Sequence, residues 1–199
     1  MASAAYPLTD VNTARGQSWT VIQAEAHGVT GSRPDGTTFM QRRLPDVAPG
    51  GFIRLVRPPK GIDPYRVLEF ARGEVGAEYG VLTVLGVAFD KVTPAWLHFP
   101  IRRPGTWICS ALAGESLRLG GFNHRWDDVY DVDPDSLLSA LLLAGGTEIP
   151  LSQAVPGDIV FAHSRGYLSA AIRFGQWLNH EPDYEVNHVA ILDSTTGAI

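Results

Sequence analysis

The chain has 199 residues, of which 45% are hydrophobic and 19% charged, a composition typical of a globular protein rather than of a disordered one. Its formal net charge is -5 and it has no dense run of lysine and arginine, so no nucleic-acid partner is expected. The single cysteine excludes an internal disulfide framework and leaves one free thiol.

Residues 1–17 are small and polar and are interpreted as an N-terminal tail, which leaves residues 18–199 as a single domain. The tail has no basic flank followed by an apolar stretch, so no secretory signal is expected. The longest apolar runs, 81–89 and 137–144, are too short to span a membrane. We therefore expect a chain without a transmembrane segment that is cytoplasmic unless another component delivers it elsewhere.

The first part of the domain has the patterns of strands separated by a turn region. Residues 18–26 are rich in β-branched and aromatic side chains and predict a strand. Residues 51–57 alternate between apolar and polar side chains and predict another strand. The intervening residues 27–36 contain three glycines and a proline, which predicts a loop or wide turn.

The next part of the chain predicts helices. Asp63 and Pro64 are a cap and a first-turn residue, and Gly76 is expected to end the helix that they begin. Residues 81–89 are either a helix or another buried segment, because their periodicity does not distinguish the two. Residues 92–104 contain three prolines and predict a loop.

The only cysteine lies in residues 105–121, which have the pattern of a buried helix ended by Gly120 and Gly121. Thr106 is the candidate cap, so Cys109 would lie in the first turn, where unpaired N–H groups and the helix dipole favour a thiolate. A lone cysteine on a helix is more often a small buried hydrophobic residue, so both interpretations stay open on this stretch alone.

Residues 126–135 form an acidic stretch that invites comparison with a calcium loop. It lacks the turn glycine and the closing glutamate of such a loop, so we favour a solvated loop. Its Asp133 or Asp135 would cap a helix over residues 136–144. No metal or other cofactor is therefore expected.

The last third of the chain predicts a turn and strand over 155–162, an amphipathic helix over 167–178, a polar loop over 181–185 and a strand over 186–192. Strands thus cluster towards the two ends of the chain. With roughly five strands and four or five helices, this pattern predicts an α+β fold.

Three segments taken together resemble the NlpC-like branch of the papain-like cysteine peptidases. They are the Trp-Ile-Cys-Ser-Ala-Leu segment at 107–112, the Pro-Gly-Asp-Ile-Val-Phe segment at 156–161 and the Asn-His-Val-Ala-Ile segment at 187–191. The order and spacing of all three segments carry the resemblance. It implies a papain-like fold in which a small antiparallel, barrel-like sheet packs against the helix that bears the cysteine.

By this resemblance Cys109 matches the nucleophile and His188 the general base, a pair that can generate a thiolate. The alternative for His188 is a hydrogen-bonded core histidine. Gln23 matches the polar residue that orients the imidazole, with Glu25 on the same strand face as the fallback. Tyr79 matches a tyrosine that donates to the oxyanion, its alternative being an ordinary half-buried tyrosine.

The order of these segments departs from that of the ordinary family, because the Gln23 strand precedes the cysteine instead of following the histidine. The local sequences look closest to the circularly permuted subgroup that includes relatives of lecithin:retinol acyltransferase, although the cysteine here precedes the histidine. The chain is interpreted as the permuted circle opened between the two strands. This interpretation predicts that residues 186–192 and 19–25 are antiparallel neighbours.

The resemblance implies a cysteine peptidase or amidase that cleaves an amide bond through an acyl-enzyme, with peptidoglycan peptides as substrates. A cytoplasmic recycling enzyme and a bacteriophage tail or virion component are the settings that it suggests, the second requiring a protein partner for delivery. One alternative is a thiol acyltransferase or lipid-acyl hydrolase, and another is a catalytically silent structural or assembly protein. Four arginines are candidates for binding a muropeptide carboxylate: Arg102, Arg103, Arg165 and Arg173. Five histidines match no family position: His27, His98, His124, His163 and His180.

Overall fold

The structure is a computed structural model that describes residues 6–7, 17–44, 47, 52–80, 105–123, 132–163 and 186–197. Over these ranges the chain forms three α-helices and a mostly antiparallel sheet, which confirms the predicted α+β class. Several predicted segments lie wholly or partly outside the described residues: 81–89, 92–104, 126–135, 167–178 and 181–185. None of the helices in the described ranges combines the length and apolarity that crossing a membrane requires.

The helices are α1 (Pro64–Gly73), α2 (Cys109–Leu119) and α3 (Pro134–Leu143), and Leu151–Gln153 form a short 3-10 helix. The strands are β1 (Tyr6–Pro7), β2 (Gln17–Glu25), β3 (Gly28–Ser32), β4 (Thr38–Phe39), β5 (Arg42–Arg43), β6 (Phe52–Arg57), β7 (Glu78–Tyr79), β8 (Thr106–Trp107), β9 (Thr147–Glu148), β10 (Ile159–Ala162) and β11 (His188–Gly197). Most of the strands that the sequence did not predict have two residues, too few to show an alternating pattern.

The main sheet has the order β1-β6-β10-β11-β2-β3-β4, with β5 also paired to β2 and β9 to β6. β11 runs antiparallel to β2, with Ile191 opposite Ile22 and Leu192 opposite Val21. The predicted pairing of residues 186–192 with 19–25 is therefore confirmed. Within the predicted tail, β1 adds a short edge strand to β6.

Both faces of this sheet are buried at its central strands, where successive side chains point to opposite sides. On one side Ile22, Phe161 and Ile191 belong to the core shared with the three helices. On the other side Val21 and Val160 belong to a second, smaller core. Burial on both faces explains why these strands are nearly continuous runs of apolar residues.

The region predicted as a loop over 27–36 is partly wrong, because residues Gly28–Ser32 form β3. Val29 and Thr30 are buried, and β3 pairs with β2. The glycines that suggested a loop instead allow close packing: a Cβ atom on Gly28 would lie 2.6 Å from the Ala77 carbonyl oxygen. Glycine in a strand often marks such a close approach.

Two helices have the aspartate caps that the sequence predicted. The side chain of Asp63 caps α1 and that of Asp133 caps α3, each followed by proline in the first turn. α3 begins at Pro134, two residues before the predicted start, and α1 ends at Gly73, before the predicted stop at Gly76.

The Pro-Gly-Asp turn joins β6, β10 and β11. The Asp158 carboxylate accepts two hydrogen bonds from the Arg57 guanidinium, each of 3.0 Å, and a third of 2.7 Å from the Val155 N–H. The backbone of Leu192 in β11 donates to the Asp158 carbonyl at 2.9 Å. Asp158 thus has a structural role in fixing the turn and its ion pair.

We expect Asp158→Ala to lower the free energy of unfolding by about 2–4 kcal/mol, because it leaves Arg57 and the Val155 N–H without their buried acceptor. Urea denaturation measures the change. The matched control is Glu115→Ala, which removes the surface ion pair with Arg118 on α2 and should cost less than about 1 kcal/mol. Equal losses in the two variants would contradict the structural role of Asp158.

Candidate active site

Cys109 is the first residue of α2, as the sequence predicted. The prediction of Thr106 as the helix cap is wrong, because Thr106 lies in β8 and the N-cap is Ile108, which makes no side-chain capping bond. A cap must directly precede the first helical residue, and Thr106 lies too far before it. The first-turn N–H groups of α2 are thus left without a side-chain cap.

A short parallel pair of strands sets the position of α2. β7 pairs with β8 so that Tyr79 lies opposite Trp107, and the Gly80 N–H donates to the Trp107 carbonyl at 3.0 Å. The Trp107 indole N–H donates to the Glu74 carboxylate at 2.7 Å, and its ring packs edge-on against Phe70. These contacts hold the residues before α2 against the end of α1.

The thiol of Cys109 is buried, with 5% of the residue exposed. Burial raises its pKa and outweighs an opposite effect from the backbone N–H groups of Val189, Ser110 and Cys109 itself and from the Ser110 hydroxyl. The net shift disfavours a thiolate and agrees with the other interpretation of this lone cysteine, a small buried residue. The helix end does supply donors to the sulfur, but they do not compensate for the loss of water.

The thiol lies where two strands of the sheet separate. β2 pairs with β11 up to Ile22 and then continues with β3, whereas the first residues of β11, from His188, pair with β10. The Val189 N–H in this part of β11 is a hydrogen-bond donor to the Cys109 sulfur. The nucleophile candidate is thus adjacent to the backbone of the base candidate, His188.

His188 is the first residue of β11 and is half-buried. Its Nε2 lies 2.8 Å from Oε1 of Gln23, which is 2% exposed. Burial lowers the pKa of His188 to about 4, so the imidazole is neutral at pH 7. The structure thus brings together the two residues that the sequence proposed as base and orienter.

Gln23 contacts His188 directly, and Glu25 contacts Gln23, so the two residues belong to one hydrogen-bond chain. The Gln23 amide Nε2 donates to Glu25 Oε2 at 3.3 Å, and the Arg42 guanidinium donates to Glu25 Oε1 at 2.8 Å. Arg42 belongs to β5, which pairs with β2 beside these residues. A continuous chain of hydrogen bonds therefore runs from Arg42 through Glu25 and Gln23 to His188.

Tyr79 is half-buried and lies near enough to Cys109 for a thiolate there to affect the pKa of its phenol. Burial raises the pKa of the Tyr79 phenol well above its usual value, and the nearby charge that Cys109 would carry raises it further. The hydroxyl group is consequently protonated across the whole physiological range. It can donate a hydrogen bond to an oxyanion formed beside Cys109.

The thiol of Cys109 and the imidazole of His188 are both neutral at pH 7. The pKa of Cys109 is raised and that of His188 is lowered, so neither shift favours a thiolate–imidazolium pair. Within the described residues, the hydrogen-bond partner of the His188 ring is Gln23 and not Cys109. Catalytic hydrogen bonds are often long in proteins without substrate and shorten on binding.

The remaining candidates lie elsewhere. His27 is in the exposed turn between β2 and β3, and His163 stacks on Phe52 with ring centroids 5.1 Å apart. The other candidates lie outside the described residues: His98, His124, His180, Arg102, Arg103, Arg165 and Arg173.

Three participants escaped the sequence analysis. Ser110 directly follows the cysteine, so its hydroxyl is a donor that the sequence itself shows beside the thiol. The Val189 N–H has no signal in the sequence, because every residue except proline carries one. Arg42 has no local signal either, since only the pairing of β5 with β2 brings it to Glu25.

Comparison with protein-family models, with curated proteins and with solved structures gave no match.

We expect the low pKa of His188 to make the protein less stable in acid. The folded state holds the ring neutral down to about pH 4, whereas the unfolded chain binds the proton near pH 6.5. The unfolded state therefore binds more protons between these values, and stability falls as the pH drops from 6.5 to 4, by up to about 3 kcal/mol.

Urea denaturation of the wild type and of His188→Gln at several pH values measures this contribution. Between pH 6.5 and 4 the free energy of unfolding should fall less steeply in the variant than in the wild type, because His188 no longer contributes. This difference in slope is expected whatever the stability of the variant at neutral pH. Identical slopes in the two proteins would contradict the burial of a neutral imidazole at this position.

Proposed function

We propose that this chain is a cysteine hydrolase that cleaves an amide bond through an acyl-enzyme, with Cys109 as nucleophile and His188 as general base. We also propose that its fold is papain-like, of the NlpC type, with a circularly permuted strand order. The pairing of β11 with β2 supports the permuted order, because it joins the histidine strand to the Gln23 strand at the two ends of the chain.

One observation carries the proposal: the hydrogen bond between His188 and Gln23 beside the buried cysteine. These residues are 165 positions apart in the sequence, and the family resemblance matches them independently to a base and its orienter. A second polar group on the imidazole is the usual device for holding a base in one orientation. With Nε2 bonded to Gln23, Nδ1 is the nitrogen left for the thiol.

The chemistry follows from these groups. His188 Nδ1 takes the Cys109 thiol proton as the sulfur attacks the carbonyl carbon, and the π pair moves to oxygen. The carbonyl then re-forms, the C–N bond breaks and the leaving nitrogen takes the proton from the imidazolium. Water adds to the resulting thioester with His188 taking its proton, after which the C–S bond breaks and the sulfur is reprotonated.

The oxyanion has donors within the same site. The first-turn N–H groups of α2 have no side-chain cap, and the Tyr79 hydroxyl is held protonated near the sulfur. Such preorganised donors stabilise the charge that develops on oxygen. Because the thiol and imidazole begin neutral, proton transfer accompanies attack and is not completed beforehand.

The proposed substrates are peptidoglycan peptides, and this assignment is supported by the sequence resemblance alone. A second candidate function, a catalytically silent structural or assembly protein, is favoured by one observation. Both pKa shifts disfavour the thiolate–imidazolium pair, as they would in a site that no longer carries out a reaction. Activity measurements on matched variants separate the two candidates.

We expect the wild type to release peptide fragments from purified muropeptides and both Cys109→Ala and His188→Ala to lose this activity by about a thousandfold or more. Mass spectrometry of the digests detects the products. His163→Ala is the matched control, since it removes a histidine stacked on Phe52, and it should retain activity. Failure of the wild type to cleave muropeptides or other peptide amides would favour the silent protein.

The pH dependence provides an independent test of the base. Because a general base must be neutral, kcat/KM should fall only as the pH drops through about 4, the pKa to which burial lowers His188. Gln23→Glu places a carboxylate beside the ring, which favours the imidazolium, and should move this acid limb upwards by about 1–3 pH units. An acid limb that is the same in both proteins would exclude His188 as the base.

A further inference from the structure

We infer that Glu25, paired with Arg42, is a positioning residue that fixes the direction of the Gln23 amide and thereby determines which ring nitrogen of His188 carries the proton. The chain of contacts from Arg42 to His188 carries this inference. Its consequence for catalysis rests on the proposed hydrolase function, whereas its consequence for the histidine tautomer does not.

The first step concerns the direction of the amide. Glu25 uses one carboxylate oxygen for Arg42 and the other for the Gln23 side chain. An ionised carboxylate only accepts hydrogen bonds, so the NH₂ end of the amide must face it. Gln23 therefore has to present its carbonyl oxygen on the opposite side, towards His188.

The second step concerns the imidazole. A carbonyl oxygen also only accepts, so the 2.8 Å contact between Gln23 Oε1 and His188 Nε2 requires a hydrogen on Nε2. A neutral imidazole has a single N–H group, which leaves Nδ1 with a free lone pair. Nδ1 is then the nitrogen that can accept the thiol proton of Cys109.

Without the carboxylate, nothing described in the structure fixes this choice. An amide turned by 180° would donate to Nε2 through its NH₂ group, and the ring would then carry its proton on Nδ1. In that tautomer the nitrogen available to Cys109 has no lone pair to offer. Glu25 therefore acts on His188 through the neutral amide of Gln23, which lies between them.

Glu25→Gln tests the inference with an almost isosteric change. Arg42 only donates, so it should take the oxygen of the new amide and leave the new NH₂ group facing Gln23. Gln23 should then turn its own oxygen towards position 25 and its NH₂ group towards His188. The substitution should thus invert the tautomer, where a merely structural role would leave it unchanged.

The readout is the ¹⁵N NMR spectrum of the histidine rings at pH 7, with the His188 signals identified by their absence in His188→Gln. In the wild type Nδ1 should give the pyridine-like signal and Nε2 the pyrrole-like signal. In Glu25→Gln the two signals should exchange or move to averaged positions. The control is Glu148→Gln, in which the altered side chain also pairs with an arginine, Arg54, and has a similar exposure, 24% against 22% for Glu25.

A wild-type ring protonated at Nδ1 overturns the inference, as does a Glu25→Gln spectrum equal to that of the wild type. If the signals exchange and Glu25→Gln also loses muropeptide cleavage at least tenfold, the positioning role and the proposed function are both supported. If they exchange and the wild type cleaves no peptide amide, the positioning role holds and the proposed function fails.

Discussion

The antiparallel pairing of β11 with β2 is the constraint on which the candidate site depends. It joins two strands from opposite parts of the chain, with Gly197 opposite Gln17, and so brings His188 and Gln23 together across 165 residues of sequence. Beyond Ile22 the two strands take different partners, and the N-terminus of α2 contributes Cys109 where they separate. Loss of this pairing would separate His188 from Gln23.

Burial determines the protonation state of the side chains in the candidate site. The same loss of water raises the pKa of Cys109 and of Tyr79 and lowers that of His188, so each group is held in its neutral form. The donors around the sulfur oppose this effect without overcoming it. Under the proposed function, the substrate supplies the carbonyl carbon that the Cys109 sulfur attacks. The attack then produces the oxyanion to which the Tyr79 hydroxyl and the N–H groups of α2 donate.

The sequence predicted those parts of the fold that depend on local signals. Asp63 and Asp133 cap helices because a carboxylate before a proline is a helix start in almost any context. The cap of α2 was mistaken because Thr106 is drawn into a parallel pair with β7, a tertiary contact that no local pattern reports. β3 is hidden from sequence patterns for a similar reason, since its glycines allow close packing, Gly28 against Ala77 and Gly31 against Ile22.

The sequence could predict candidate site residues where they belong to a recognisable motif, as for Cys109, His188, Gln23 and Tyr79. Two features could not be predicted because they depend on tertiary structure. Burial raises the pKa of Cys109 more than the N–H groups at the helix end lower it, and Arg42 reaches Glu25 only through the pairing of two strands. Each depends on distances between segments that the sequence separates.

The most direct measurement is the distance from Cys109 Sγ to His188 Nδ1 in a crystal structure with a peptide aldehyde bound to the sulfur. The proposed mechanism requires about 4 Å or less, with the aldehyde oxygen between the Tyr79 hydroxyl and the first-turn N–H groups of α2. A well-ordered adduct in which Nδ1 points away from the sulfur, with His188 still bonded to Gln23, would contradict the role of His188 as the base.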